Sequence, residues 1–193
     1  SFLIMMTFIN IEYPLIIIIL SSGIILIIGA LDDAFELGIV VRLISQLIAS
    51  LIVVGAGISI VDIGDYYIFP PIELKTFGIL LTIISVIGLT NAINFIDGLD
   101  GLCSGLVLLA SLTLVCFIYL SGNNIDFSAI SVLFISILIF LLINLGLTPL
   151  KKVFLGDAGS MLLGFILSWF LIYYTHPAIR YIHPVLTLWC VPI

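Results

Sequence analysis

The sequence predicts an all-α, polytopic integral membrane protein, a helical bundle of six complete spans with a partial span at either end. Three observations carry that reading. First, 63% of the 193 residues are hydrophobic and 8% are charged, against about 45–50% and about 25% in soluble domains. Such a chain lacks the polar residues to cover a water-facing surface, and it is the reverse of a disordered composition. Second, the charges gather between uncharged stretches near the length a bilayer crossing takes, about 17–25 residues. Third, the connections are short and no soluble insertion separates them, so residues 1–193 read as a single membrane-embedded domain.

In chain order the spans are Pro14–Leu31, Leu43–Val61, Phe77–Ile96, Leu102–Leu120, Ser128–Leu145 and Gly159–Tyr174. Each is closed by a polar or Pro/Gly-marked turn: Asp32–Arg42, Asp62–Thr76, Asp97–Gly101, Ser121–Phe127, Thr148–Asp157 and Thr175–His183. The partial spans lie before Asn10 and after Pro184. The chain starts at Ser1 and stops at Ile193 inside apolar runs, without a signal peptide's basic region or cleavage site. It is expected to be truncated at both ends. Cys103, Cys116 and Cys190 show neither zinc spacing nor a disulfide framework and are expected to be small buried hydrophobes.

Alternating spans send successive loops to opposite sides. Asp32, Asp33, Glu36, Asp97, Asp100 and Asp157 fall on one side, with Arg42, Lys151 and Lys152. Glu12, Asp62, Asp65, Glu73, Asp126, His176 and His183 fall on the other, with Lys75 and Arg180. Five basic residues against eleven acidic, net charge −6, argue against a nucleic-acid partner.

Three motifs on the aspartate side carry chemistry. In Gly29-Ala-Leu-Asp32-Asp33 the adjacent carboxylates repel, so one holds a raised pKa unless a cation stands between them. That suits a general base or a metal site, and equally a cap on a following helix beginning near Phe35. In Asn91-Ala-Ile-Asn94-Phe-Ile-Asp97-Gly98-Leu-Asp100-Gly101, steps of three residues turn about 300°, which leaves neighbours about 60° apart. Asn94, Asp97 and Asp100 then share one polar wall, and the glycines let the backbone break; interhelical glue is the plainer alternative. In Lys151-Lys152-Val-Phe-Leu-Gly156-Asp157-Ala-Gly159-Ser160, a helix start with glycines and lysines suits an anion. Asp157 beside it suits a bridging metal, because Mg²⁺ is commonly held by one or two carboxylates plus substrate phosphates. Together these point to Mg²⁺-assisted phosphate chemistry that reaches a lipid.

These motifs, in this order and spacing, resemble the three core motifs of the polyprenyl-phosphate N-acetylhexosamine-1-phosphate transferases. His183-Pro184-Val185 with Trp189 and Pro192 resembles the WecA-like branch more than the related phospho-N-acetylmuramoyl-pentapeptide transferases. The resemblance implies transfer of a sugar 1-phosphate from a UDP-N-acetylhexosamine to undecaprenyl phosphate. The reaction would release UMP with Mg²⁺ or Mn²⁺, at the cytoplasmic face of the inner membrane. By position it implies that Asp32 or Asp33 deprotonates or orients the lipid phosphate. Asp97 and Asp100 join them as catalytic groups, and Asp157 is the principal metal ligand, with Asn94 a second oxygen donor. Asn94, Asn144, Lys151, Lys152, Gly156, Gly159 and Ser160 are the expected substrate contacts. A homodimer is left open.

Two rivals share part of this chemistry. A cation-coupled transporter would explain intramembrane carboxylates but expects them near the midplane, on broken helices. A CDP-alcohol phosphotransferase needs an Ala-Arg pair after Asp-Gly, where this chain has Leu102-Cys103.

Overall fold

A computed structural model describes residues 13–62, 74–120 and 128–177. Among these residues there are six α-helices: α1 (Tyr13–Phe35), α2 (Ile39–Gly55), α3 (Lys75–Ile96), α4 (Leu102–Leu120), α5 (Ser128–Asn144) and α6 (Gly156–Thr175). Four of them, α1, α3, α4 and α6, are long and apolar enough to cross a membrane, and α2 and α5 are shorter apolar helices of 17 residues. The chain is therefore an all-α polytopic membrane protein. The two partial spans lie outside the described residues.

The first helix is longer than its apolar run. The Glu36 N–H donates to the Asp32 carbonyl at 2.8 Å, so the helical ladder continues through both aspartates. It stops where Glu36 takes a left-handed φ of 49°. Asp32 and Asp33 thus occupy the last turn of α1, and the expectation that one of them caps a helix starting near Phe35 is corrected.

The bundle is built around α6. Every residue from Gly164 to Tyr174 is buried, the signature of a helix surrounded by others rather than laid on a surface. Helices α1 and α3 flank it, α2 packs on α1, and α5 pairs with α4. In a bilayer apolar surface gives helices little reason to prefer each other over lipid, so close backbone approach at small residues matters. Two glycines provide it. A Cβ at Gly29 of α1 would lie 2.5 Å from the Ala158 Cα, and one at Gly164 of α6 would lie 2.8 Å from the Thr90 Cα. Several buried hydroxyls bond back to their own helices, as Thr90 does to Val86 and Ser168 to Gly164, which leaves these satisfied in an apolar setting.

The outward faces are apolar, as with Leu47, Ile48 and Leu51 of α2. Cys103 is buried as expected, but Cys116 is exposed on the outer side of α4, where a thiol faces lipid at little cost. That corrects its assignment to the interior. Cys190 lies outside the described residues.

Gly164→Ala should lower the thermal midpoint in detergent, because overpacking at a backbone contact costs about 1–3 kcal/mol. Gly88→Ala, at a position of the same flanking helix with open space around it, should not. Equal midpoints for the two variants would contradict the packing described.

Candidate active site

Successive residues of a helix point about 100° apart, and the last turn of α1 uses that divergence. Asp32, only 4% exposed, accepts a hydrogen bond from Arg42 Nη1 of α2 at 3.0 Å. Asp33 points instead to α6. Its Oδ1 accepts the backbone N–H of Asp157 at 2.8 Å and its Oδ2 that of Ala158 at 3.2 Å. The cation that relieves the adjacent pair is Arg42, and it serves Asp32.

The first turn of a helix presents unsatisfied N–H groups and a positive dipole end. The sequence offered these to a substrate phosphate, but the anion seated there in this structure is the Asp33 carboxylate. Gly156 makes the seat possible: its φ is 68°, and a Cβ would stand 2.9 Å from Asp33 Oδ2. Gly159 has a different neighbour, since a Cβ there would meet the Leu155 side chain.

The end of α3 supplies the second group. Asn94 donates from Nδ2 to Asp157 Oδ1 at 2.7 Å and to Ser160 Oγ at 2.9 Å. Ser160 is buried and donates to the Gly156 carbonyl at 3.0 Å. The amide nitrogen of Asn94, not its oxygen, faces Asp157, so Asn94 orients that carboxylate. Asn91 faces away, into a paired contact with Gln46 of α2: its Nδ2 reaches Gln46 Oε1 at 2.6 Å, and Gln46 Nε2 reaches Asn91 Oδ1 at 3.4 Å. The glue reading holds for Asn91. Beyond α3 the chain turns at Gly101, with a φ of 78°, whereas Gly98 has open space around it.

Asp33, Asp97, Asp100 and Asp157 thereby line one pocket of about 350 Å³, within the range of small-molecule sites. Asn144, Phe140, Phe154 and Leu155 complete much of its wall. Asn144 is buried at the end of α5 and donates to the Val153 carbonyl at 2.9 Å, which ties the segment leading into α6. Lys152 stretches over Gly146 and brings Nζ to 3.8 Å from Asp100 Oδ2, both half-exposed. Lys151 is exposed and is not among the pocket residues.

Crowded carboxylates raise the cost of ionising one another. Asp97 is pushed from its ordinary 3.8 to about 6, first by burial and then by the charges of Asp157, Asp100 and Asp33. A raised carboxyl thus stands on the α3–α4 turn. His176 follows α6 at its other end. Burial holds it below its ordinary value against the opposing pull of Asp62, in keeping with the alternation that separated these two from the aspartate side. Gln46 of α2 was the neighbour missed, although Arg42 four residues before it was placed on the aspartate side; a lone amide one helical turn into an apolar span was the available signal.

The fold and site define a polytopic membrane protein with a carboxylate-lined pocket where helix ends meet. The chain belongs to glycosyl transferase family 4, which it matches over residues 15–175. It is 34% identical to the undecaprenyl-phosphate alpha-N-acetylglucosaminyl 1-phosphate transferase of Yersinia pestis, over 89% of this chain and 48% of that protein. The Escherichia coli K12 protein of the same name is 33% identical over 89% of this chain and 47% of its own length. A probable undecaprenyl-phosphate N-acetylglucosaminyl 1-phosphate transferase of Bacillus subtilis is 35% identical over 78% of this chain and 41% of its own. The chain spans about half the length of these relatives. The transporter alternative finds no support in them, and the described Asp, Glu, Lys and Arg residues all lie within a turn of a helix end or between helices.

The raised Asp97 carboxyl has a pH consequence. Between about 4 and about 6 the unfolded chain ionises first, so unfolding releases a proton and this group's contribution to stability falls as pH rises. In detergent without divalent cations, the thermal midpoint should decline across that window, and Asp97→Asn should flatten the decline. An unchanged slope in the variant would contradict the crowding.

Proposed function

We propose that this chain transfers N-acetylhexosamine 1-phosphate, GlcNAc 1-phosphate in the first instance, from the UDP-sugar to undecaprenyl or another polyprenyl phosphate. UMP leaves, and the product initiates a cell-envelope glycan. The observation that carries this is the convergence of Asp97, Asp100 and Asp157 on one pocket at the ends of apolar helices, where a lipid headgroup meets water. Phe154 and Leu155 line the pocket, and Leu147, Leu150 and Phe154 are exposed along the segment before α6. That apolar flank suits an isoprenoid whose phosphate must reach the aspartates.

In the reaction an oxygen of the lipid phosphate attacks the sugar-bearing phosphorus. The bond from that phosphorus to the bridging oxygen breaks, and UMP departs with the oxygen and its electron pair. A phosphate monoester has a second pKa near about 6 and arrives largely ionised, so the site has little proton work. The protein's task is to hold two polyanions in line within a ring of carboxylates.

The donor set fits Mg²⁺ or Mn²⁺. Among the described residues no three His, Cys, Asp or Glu side chains could hold a metal alone. Mg²⁺ commonly takes one or two carboxylates and completes its shell with phosphate oxygens. Asp157, oriented by Asn94, would hold it, with Asp97 and Asp100 across the pocket. The bound ion supplies neutralising charge to the phosphates and to the leaving oxygen. Asp97 and Asp100 position the nucleotide side, Asn144 holds the lead-in to α6, and Lys152 offers a cation at the rim. Direct attack by the lipid phosphate is favoured over a covalent aspartyl intermediate, because Asp32 is committed to Arg42 and Asp33 to α6.

Asp157→Asn should cut UMP release from UDP-GlcNAc and undecaprenyl phosphate by on the order of 100-fold or more, with membrane insertion unchanged; near-normal turnover would refute the metal assignment. The aspartate end belongs at the cytoplasmic face of the inner membrane, where nucleotide sugars are available. In a cysteine-free background, Lys151→Cys should resist an impermeant thiol reagent in intact cells and Pro177→Cys should react. The opposite pattern would invert the topology.

A further inference from the structure

We infer that Asp33 is a positioning residue, whose carboxylate caps α6 across the bundle and thereby fixes Asp157 in the pocket. The family motif places Asp33 with the groups that act on the lipid phosphate, but the geometry assigns it otherwise. Each of its oxygens already accepts a backbone N–H, one from Asp157 and one from Ala158. A proton, a metal ion or a substrate phosphate taken up along those directions would compete with the cap. The residue before Asp157 is built to admit this contact, since Gly156 has a left-handed φ and its missing Cβ leaves the space the carboxylate fills. One helical turn along the flank, Gly29 brings the backbone of α1 against Ala158, so cap and close contact engage the same turn of α6. Asp157 is then held at both ends, through its backbone N–H by Asp33 and through its side chain by Asn94. The neighbouring Asp32 is spent on Arg42, so the two adjacent aspartates have separate structural partners.

The kinetic arm of the test rests on the transferase reading, whereas the exchange arm does not. Amide hydrogen exchange over residues 156–160 should rise by about tenfold in Asp33→Ala, the size expected for loss of a helix cap. It should stay near the unaltered rate in Asp33→Asn, which keeps an acceptor oxygen and is a comparable cap. In UMP release Asp33→Ala should lose about 100-fold in kcat, as for a misplaced reactive group, and should weaken Mn²⁺ binding measured by electron paramagnetic resonance. Asp33→Asn should retain kcat within about tenfold, with an unshifted pH profile. Gly156→Ala, which leaves the carboxylate in place but obstructs its seat, should reproduce the Asp33→Ala exchange, and the double variant should add little further.

The inference is overturned if Asp33→Asn is as inactive as Asp33→Ala while its exchange is normal and a limb of the pH profile is gone. That pattern marks a charge used in the chemistry. It is equally overturned if Asp33→Ala leaves exchange unchanged. Should Asp33→Ala fail to fold, Asp33→Asn and Gly156→Ala still decide. Absence of UMP release from the unaltered protein would count against the transferase reading, and the exchange measurements would still judge the cap.

Discussion

The aspartate end of this molecule depends on where the first turn of α6 sits. That position is set by a carboxylate on one helix meeting two backbone N–H groups on another, 124 and 125 residues further along the chain. A helix start has donors without intrahelical partners, and its dipole makes that end attractive to a negative group. Asp33 answers that demand with the charge sign the helix dipole favours. Everything else at the site is referenced to this turn. Asn94 reaches its side-chain carboxylate, Ser160 closes on its first carbonyl, and Asn144 holds the strand of chain that enters it.

Once that turn is fixed, charge becomes the constraint on what the pocket does. Of the carboxylates gathered there, Asp33 is neutralised in effect by N–H donors, and Asp100 has Lys152 at 3.8 Å, a contact weakened by solvent because both side chains are half-exposed. Asp97 is pushed up first by its own burial and then by the charges of Asp157, Asp100 and Asp33. A pocket so arranged favours whatever brings positive charge to Asp97 and Asp157. It disfavours a bare phosphate. That balance of charge is what the proposed reaction would draw on, with phosphates arriving together with a cation.

Much of this was legible in the sequence, and the limits are physical. The existence of six helices followed from composition, although only four of them are long and apolar enough to cross a membrane, and the starts of α4 at Leu102 and α5 at Ser128 fell where charge and apolar run change over. Parity alone brought Asp33, Asp97, Asp100 and Asp157 to one side, and the structure places them around one pocket. What periodicity could not supply was the partner of each side chain. Asp32 and Asp33 are neighbours in the chain, yet one faces α2 and the other α6; the choice depends on how α1 is rotated against helices that lie far off in sequence. The helix boundary behaved similarly. Apolar content ended the first span at Leu31, but the backbone ladder runs on to Phe35, because Arg42 and the start of α6 take up the two aspartates of the last turn. Asn91 and Asn94 look alike on paper, and a rotation of about 300° sends one to Gln46 and the other to Asp157.

The contacts that build the site are also the contacts that hold the bundle. Asp32–Arg42 joins α1 to α2, Gln46–Asn91 joins α2 to α3, Asn94–Asp157 joins α3 to α6, and Asp33 returns from α6 to α1. The four links form a closed circuit around the aspartate end. In lipid a single interhelical hydrogen bond is worth about 0.6 kcal/mol on average, so no one link dictates the arrangement. A circuit differs from a sum, however, because displacing any one helix strains two links at once. The glycine contacts at Gly29 and Gly164 press α6 against both of its flanking helices, which leaves little freedom to relieve that strain by sliding. Asp157 therefore inherits its precision from the packing of whole helices. The proposed phosphoryl transfer, whose catalysis would be mostly placement and charge, would be well served by a site whose geometry cannot drift without opening the fold.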